Sequence, residues 1–203
     1  MGCGQILEWL GSCEAYHPSC NEGKLQTLPT RVVNVEPGPY IKIAETNGTL
    51  GRYACLSHCW GEAALVSTTI ETLREHINTG IAWELLPKTF QDAIVVTRAL
   101  GIPYLWIDSL CIVQNDTQDW ARESVKMAEI YRHGEITLAA TKSPDGHGGC
   151  FSEIEPYYRG HNFRFRGVEV CVRKKLPHKA FREYPLVPHV STINCTACYY
   201  LTY

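Results

Sequence analysis

Residues 87–107, PKTFQDAIVVTRALGIPYLWI, leave the chain little choice of fold. Phe90, Ala93, Ile94, Thr97 and Leu100 recur at three- and four-residue steps, which puts them on one face of a helix, and Gly101 supplies a C-terminal stop. Three residues later Tyr104, Leu105, Trp106 and Ile107 form an apolar run with few polar groups facing either way, the composition of a strand covered on both faces. A helix running straight into such a strand is half of a β-α-β unit.

The flanking sequence repeats the alternation. RYACLSHCW (52–60) is rich in strand formers and ends at Gly61. A second helix is expected from about Thr117 to His133, because Trp120, Ser124, Met127 and Tyr131 recur at helical spacing, with Asp119 placing negative charge in its first turn. Gly134 ends it, and EITLAAT (135–141) reads as a third strand. Strand, helix, strand, helix, strand with short connections predicts an α/β fold with a parallel sheet. Ligands of such sheets bind outside the carboxyl ends of the strands. That rule selects Ser57, His58, Trp60 and Gly61 after the first strand and Asp108 after the second.

The 203 residues suffice for one principal domain. A formal net charge of −2 argues against a nucleic-acid backbone as partner. No apolar stretch approaches the ~18 residues of a membrane span, and no secretory signal pattern opens the chain, so a cytoplasmic protein is expected. The start MGCGQ has Ile6 where N-myristoylation wants Ser or Thr. Ten cysteines scattered among apolar runs read as reduced, mostly buried thiols, and three glycosylation sequons, at Asn47, Asn115 and Asn194, as chance.

Residues 1–50 read as a Cys- and His-containing leader, with strand-like pieces at TRVVNVE and YIKIAE, that packs onto the larger unit. NFRFRGVEVCVRK suggests a C-terminal β-hairpin turning at Gly167. Cys13, His17 and Cys20, with Cys3, have ligand-like spacing, but paired Cys-x-x-Cys elements are absent and a thiol cluster without metal is the reading taken. Cys111 with His58 or His133 would make a nucleophile and base, yet apolar surroundings leave a thiol inert. Arg52, Arg98, Arg122 and Arg132 are available to phosphates or, as readily, to solvent. No Walker-type or dinucleotide Gly-rich loop is present.

YACLSHCWG (53–61), LPKTFQDAIVVTRALGIPYLWIDSLCIVQND (86–116) and DWARESVKMAEIYRHGEITLAAT (119–141), in this order and spacing, resemble the HET domain, the heterokaryon incompatibility domain of filamentous fungi. The resemblance assigns a leader to 1–50, the HET domain to 51–190 and an atypical tail to 191–203. The family's Arg-x-Trp-x-x-Gln-Glu stretch does not follow the Pro-Leu pair in YPLVPHV, so the closing element departs from the pattern. The resemblance implies a TIR-like (flavodoxin-like) fold, a role in non-self recognition and programmed cell death, and protein partners or self-assembly. Some TIR domains cleave NAD with a Glu placed on a helix shortly after a Trp, and DWARE offers Glu123 at that place. Ser57, Trp60, Gly61 and Asp108 would then contact the nucleotide. NAD would be a substrate, with no resident cofactor; the alternative is a non-catalytic signalling module on the same fold.

Overall fold

Pro37 and Gly38 turn the chain between two short strands of the computed structural model, which describes residues 3–16, 25–61, 66–141, 143–151 and 161–172. Helix α1 (Cys3–Tyr16) buries Ile6 in the core, and β1 (Gln26–Thr27) leads to the hairpin of β2 (Arg31–Asn34) and β3 (Tyr40–Glu45). In β3 the buried Ile41 and Ile43 flank the exposed Lys42, the period of a strand with one wet face. In β2, Arg31, Val32 and Val33 are all buried. Such a strand belongs in the interior of a sheet. Strand β4 (Leu50–Gly51) pairs with β1, and β5 (Tyr53–Ser57) follows with four buried residues in succession.

Next come α2 (Leu73–Asn78), β6 (Ile81–Ala82), α3 (Lys88–Ala99), β7 (Tyr104–Ile107) and the single turn α4 (Asp108–Cys111). Helix α3 buries Phe90, Ala93, Ile94 and Thr97, the face that its spacing selects. Gly101, at φ +69°, closes it: the Ile102 N–H reaches the Thr97 carbonyl and the Gly101 N–H that of Arg98. The chain continues through α5 (Thr117–Ser124), α6 (Met127–His133) and β8 (Ile136–Ala139), then β9 (His161–Phe165) and β10 (Val168–Val172).

Six strands form one sheet in the order β6-β3-β2-β7-β5-β8. Neighbours β7, β5 and β8 are parallel, while β2, β3 and β6 are joined antiparallel. The parallel sheet expected from the strand–helix alternation is therefore mixed. The physical reason is local: β2 and β3 are connected by a tight turn, which only antiparallel neighbours can use, and β2 docks antiparallel on the outer edge of β7. The sheet also runs across the boundary expected between residues 50 and 51.

Side-chain alternation assigns the helices to faces. Tyr53, Cys55 and Trp106 meet α6: the Tyr53 hydroxyl donates to the Ile130 carbonyl at 2.8 Å, and Trp106 meets Tyr131 edge-on with centroids 5.4 Å apart. The other face belongs to α3, whose Phe90 ring lies 5.0 Å from His58, the residue that continues β5. The helix expected over 117–133 is broken into α5 and α6, and its buried face differs from the apolar spacing. Trp120 is 54% exposed, whereas Asp119 and Glu123 are buried. Asp116 caps α5, its Oδ1 accepting from the N–H groups of Gln118 and Asp119.

Gly134 owes its identity to close approach, not to a left-handed turn. A Cβ there would lie 2.9 Å from the Cys55 sulfur, under α6. Gly134→Ala is expected to cost about 1–3 kcal/mol through overpacking, read as a lower urea midpoint with unchanged slope. Arg166 and Gly167, both at positive φ, make the two-residue turn of the β9–β10 hairpin at the place the sequence suggests. Among the described residues no helix is long and apolar enough to cross a membrane.

Candidate functional site

Strands β5 and β7 run side by side with Leu56 opposite Ile107, so the residues that follow them emerge at the same level. The two apolar strands thereby bring polar groups from 50 residues apart into one cluster. Asp108 opens α4; its Oδ1 accepts from the Ser109 N–H at 2.7 Å and its Oδ2 from the Trp60 indole N–H at 3.1 Å. Trp60 keeps 40% of its surface exposed and lies parallel to the His58 ring, at 8° with centroids 6.4 Å apart.

His58 is the unfinished part of the cluster. Its side chain is fully buried between Trp60 and Phe90, and neither ring nitrogen has a hydrogen-bond partner among the described residues. Asp108 Oδ1 stands 3.8 Å from Nδ1, beyond hydrogen-bond length. Burial pushes the imidazole pKa below its usual value, with the Asp108 carboxylate pulling against it, so the ring is neutral at pH 7. The buried Ser109 hydroxyl is likewise without a partner among the described residues.

Ser57 ends β5 half-buried beside Ala139 of β8. Gly61, at φ +67°, permits a close approach, but by this chain: a Cβ there would lie 2.5 Å from Cβ of Asp145. The loop carrying Asp145 is tied to α3, with the Cys150 N–H donating to Asp92 Oδ2 at 3.0 Å, the Gly149 N–H to the Thr89 hydroxyl, and the Thr89 N–H to the Gly146 carbonyl.

The structure thus gathers Ser57, Trp60, Gly61 and Asp108 at the strand ends. Glu123 sits elsewhere. It is buried on α5, and its Oε1 accepts from the Thr30 hydroxyl at 2.9 Å and from Lys126 Nζ at 3.0 Å. Thr30 and Lys126 line a cleft of about 680 Å³, together with Glu45, Tyr53, Glu129 and His133, and none of the four strand-end residues lines it. One turn earlier Asp119 pairs with the buried Arg31, accepts from the Val113 N–H at 2.9 Å and from Arg122 at 3.0 Å, while Arg31 Nε donates to the Cys111 carbonyl at 2.7 Å. Sequence reasoning missed Arg31, because its partner lies 88 residues away. His58 was legible as a strand-end residue and as a candidate base for Cys111, not as a buried ring with unsatisfied nitrogens.

Other candidates have plainer roles. Burial pushes the Cys111 thiol up to about 12, too high for a nucleophile at neutral pH. Arg52 is held bidentately by Glu135, Arg98 by the carbonyls of Val35 and Glu36 under a cation–π contact with Trp83, and Arg122 by Asp119. No group of three or more metal-ligating side chains occurs among the described residues; His17 and Cys20 lie outside them.

No curated protein and no solved structure matches this chain. A family model does: the one described as heterokaryon incompatibility protein (HET) matches residues 53–175, from the first residue of β5 past the end of β10. That span carries the three parallel strands, their helices and the whole strand-end cluster, and it is more than half of the 203 residues. The chain belongs to the heterokaryon incompatibility protein (HET) family.

Proposed function

We propose that this domain acts in fungal non-self recognition and programmed cell death as a cytoplasmic, TIR-like enzyme that hydrolyses NAD to nicotinamide and ADP-ribose. The observation that carries this reading is the convergence of Trp60, Asp108 and the incompletely bonded His58 at the ends of adjacent parallel strands. The order β7-β5-β8, in which the chain crosses from β5 to one side and then returns to the other, reverses the winding at this edge, which supports a ligand there. The half-exposed indole offers a stacking face and Asp108 a carboxylate for ribose hydroxyls.

Breaking the nicotinamide–ribose bond leaves a cation-like sugar, which a nearby carboxylate stabilises. In this reading the carboxylate already at the strand-end cluster is Asp108, and Glu123, held by Thr30 and Lys126 outside that cluster, serves the sugar only after exchanging those bonds and moving to it. Its burial and double hydrogen bonding favour a second reading, in which Glu123 ties α5 to the chain before β2 and the domain signals by assembling with partners, without turnover.

Nicotinamide release from NAD at high protein concentration separates the two. Wild-type turnover that falls about 100-fold or more in Glu123→Gln and in Asp108→Asn, with unchanged circular dichroism, supports the enzyme. A folded, assembled wild type that releases none sinks it, and equal turnover by Glu123→Gln removes Glu123 from the chemistry.

A further inference from the structure

His58 is a polar side chain with no exposed surface and two ring nitrogens that no described group satisfies. Two arrangements complete such a ring: a trapped water, or a ligand atom that arrives from outside. The surroundings favour the second. The ring's cover is Trp60, which is 40% exposed and held to Asp108 by one 3.1 Å hydrogen bond.

The chemistry of the cluster narrows the ligand group. Asp108 only accepts hydrogen bonds and repels anions, so a phosphate does not belong against it. A cation would pair with Asp108 but has nothing to offer the donor nitrogen of a neutral imidazole. A hydroxyl both donates and accepts, and a vicinal diol presents two of them to a carboxylate and an imidazole standing 3.8 Å apart.

We propose that His58 is a ligand-contacting residue of the strand-end site, its imidazole receiving one hydroxyl of a ribose whose neighbouring hydroxyl binds Asp108 as the Trp60 indole gives up its hold. The proposal rests on the nucleotide reading above and adds to it a residue that distinguishes a ribose from sugars lacking the diol. Trp60 then changes role, from cover of His58 to stacking surface for the flat ring of the bound nucleotide.

The test is calorimetric titration of wild type and His58→Phe with ADP-ribose, alongside thermal unfolding. A phenyl ring keeps the packing against Phe90 and Trp60 and removes two unsatisfied nitrogens. The expected result is a tenfold or greater loss of affinity with an unchanged or higher melting temperature. Unchanged affinity with a lower melting temperature overturns the proposal, assigns the nitrogens to a trapped water, and leaves the nucleotide reading standing. A wild type that binds no ADP-ribose overturns both. Should His58→Phe not fold, the wild type still decides: the His58 ring nitrogens, followed by 15N NMR, shift as ADP-ribose saturates the protein, and their failure to shift at saturation overturns the proposal.

Discussion

Replacing Asp119 with alanine is expected to destabilise the fold by about 3–5 kcal/mol, because it strands the buried Arg31 guanidinium without its counter-charge. The two side chains are 7% and 4% exposed, so water offers little compensation. The same substitution deprives the buried Val113 N–H of its acceptor. For a chain of this size the melting temperature should drop by roughly 10 °C. Arg31→Met together with Asp119→Leu should recover much of the loss, since removing both charges removes the desolvation cost that the single variant leaves uncompensated. A single variant that melts within a degree of wild type would show that the pair contributes nothing net.

The pair also carries a pH signature. Burial alone would raise the Asp119 carboxyl, but the Val113 N–H and the Arg31 guanidinium outweigh it and hold it below the usual 3.8. A folded-state pKa lower than the unfolded one adds stability that is complete above the unfolded value and is lost as pH falls through the folded value. The stability gap between wild type and Asp119→Asn should therefore be constant near neutrality and narrow below about 3.8.

Trp106→Ala should cost a similar amount, about 3–5 kcal/mol, by a different route. The indole is 1% exposed and fills the space between β7 and α6, edge-on to Tyr131. Its loss opens a cavity under a helix of only seven residues, whose other ties to the sheet include the Tyr53 and Tyr131 hydroxyls and the Cys55 thiol, bonded to backbone carbonyls. Amide exchange at Ile130 and Tyr131 should accelerate well beyond that in α3, which packs on the opposite face. Trp106→Phe, which refills part of the volume, should lose less; equal losses for Ala and Phe would place the indole's contribution outside packing.

The parts of this fold readable from sequence are those with a period. Phe90, Ala93, Ile94, Thr97 and Leu100 announce α3, and the apolar run 104–107 announces an interior strand, because burial there follows hydrophobicity. Helix α5 defeats the same logic. Its inward face carries Asp119 and Glu123 while Trp120 points outward, since charge pairing across the chain overrides apolar spacing. The direction of β2 against β7 left no local trace, as strand polarity depends on which edge a hairpin finds. The strand-end residues were legible as a group by the rule that places ligands there, whereas the separation of Glu123 from that group depends on packing that spacing does not encode.

The outer edge of β7 is occupied by β2, which begins at Arg31, yet the recognisable family stretch begins at residue 53. Cut at that point, β7 would present a row of unpaired amides and carbonyls along Leu105 and its neighbours, a template for the strands of other molecules. The ion pair of Arg31 with Asp119 crosses the same line. The stretch matched by the family is thus shorter than the stretch that completes the sheet around β7. A fragment trimmed to the family match would keep the strand-end cluster and open that edge to pairing with other chains.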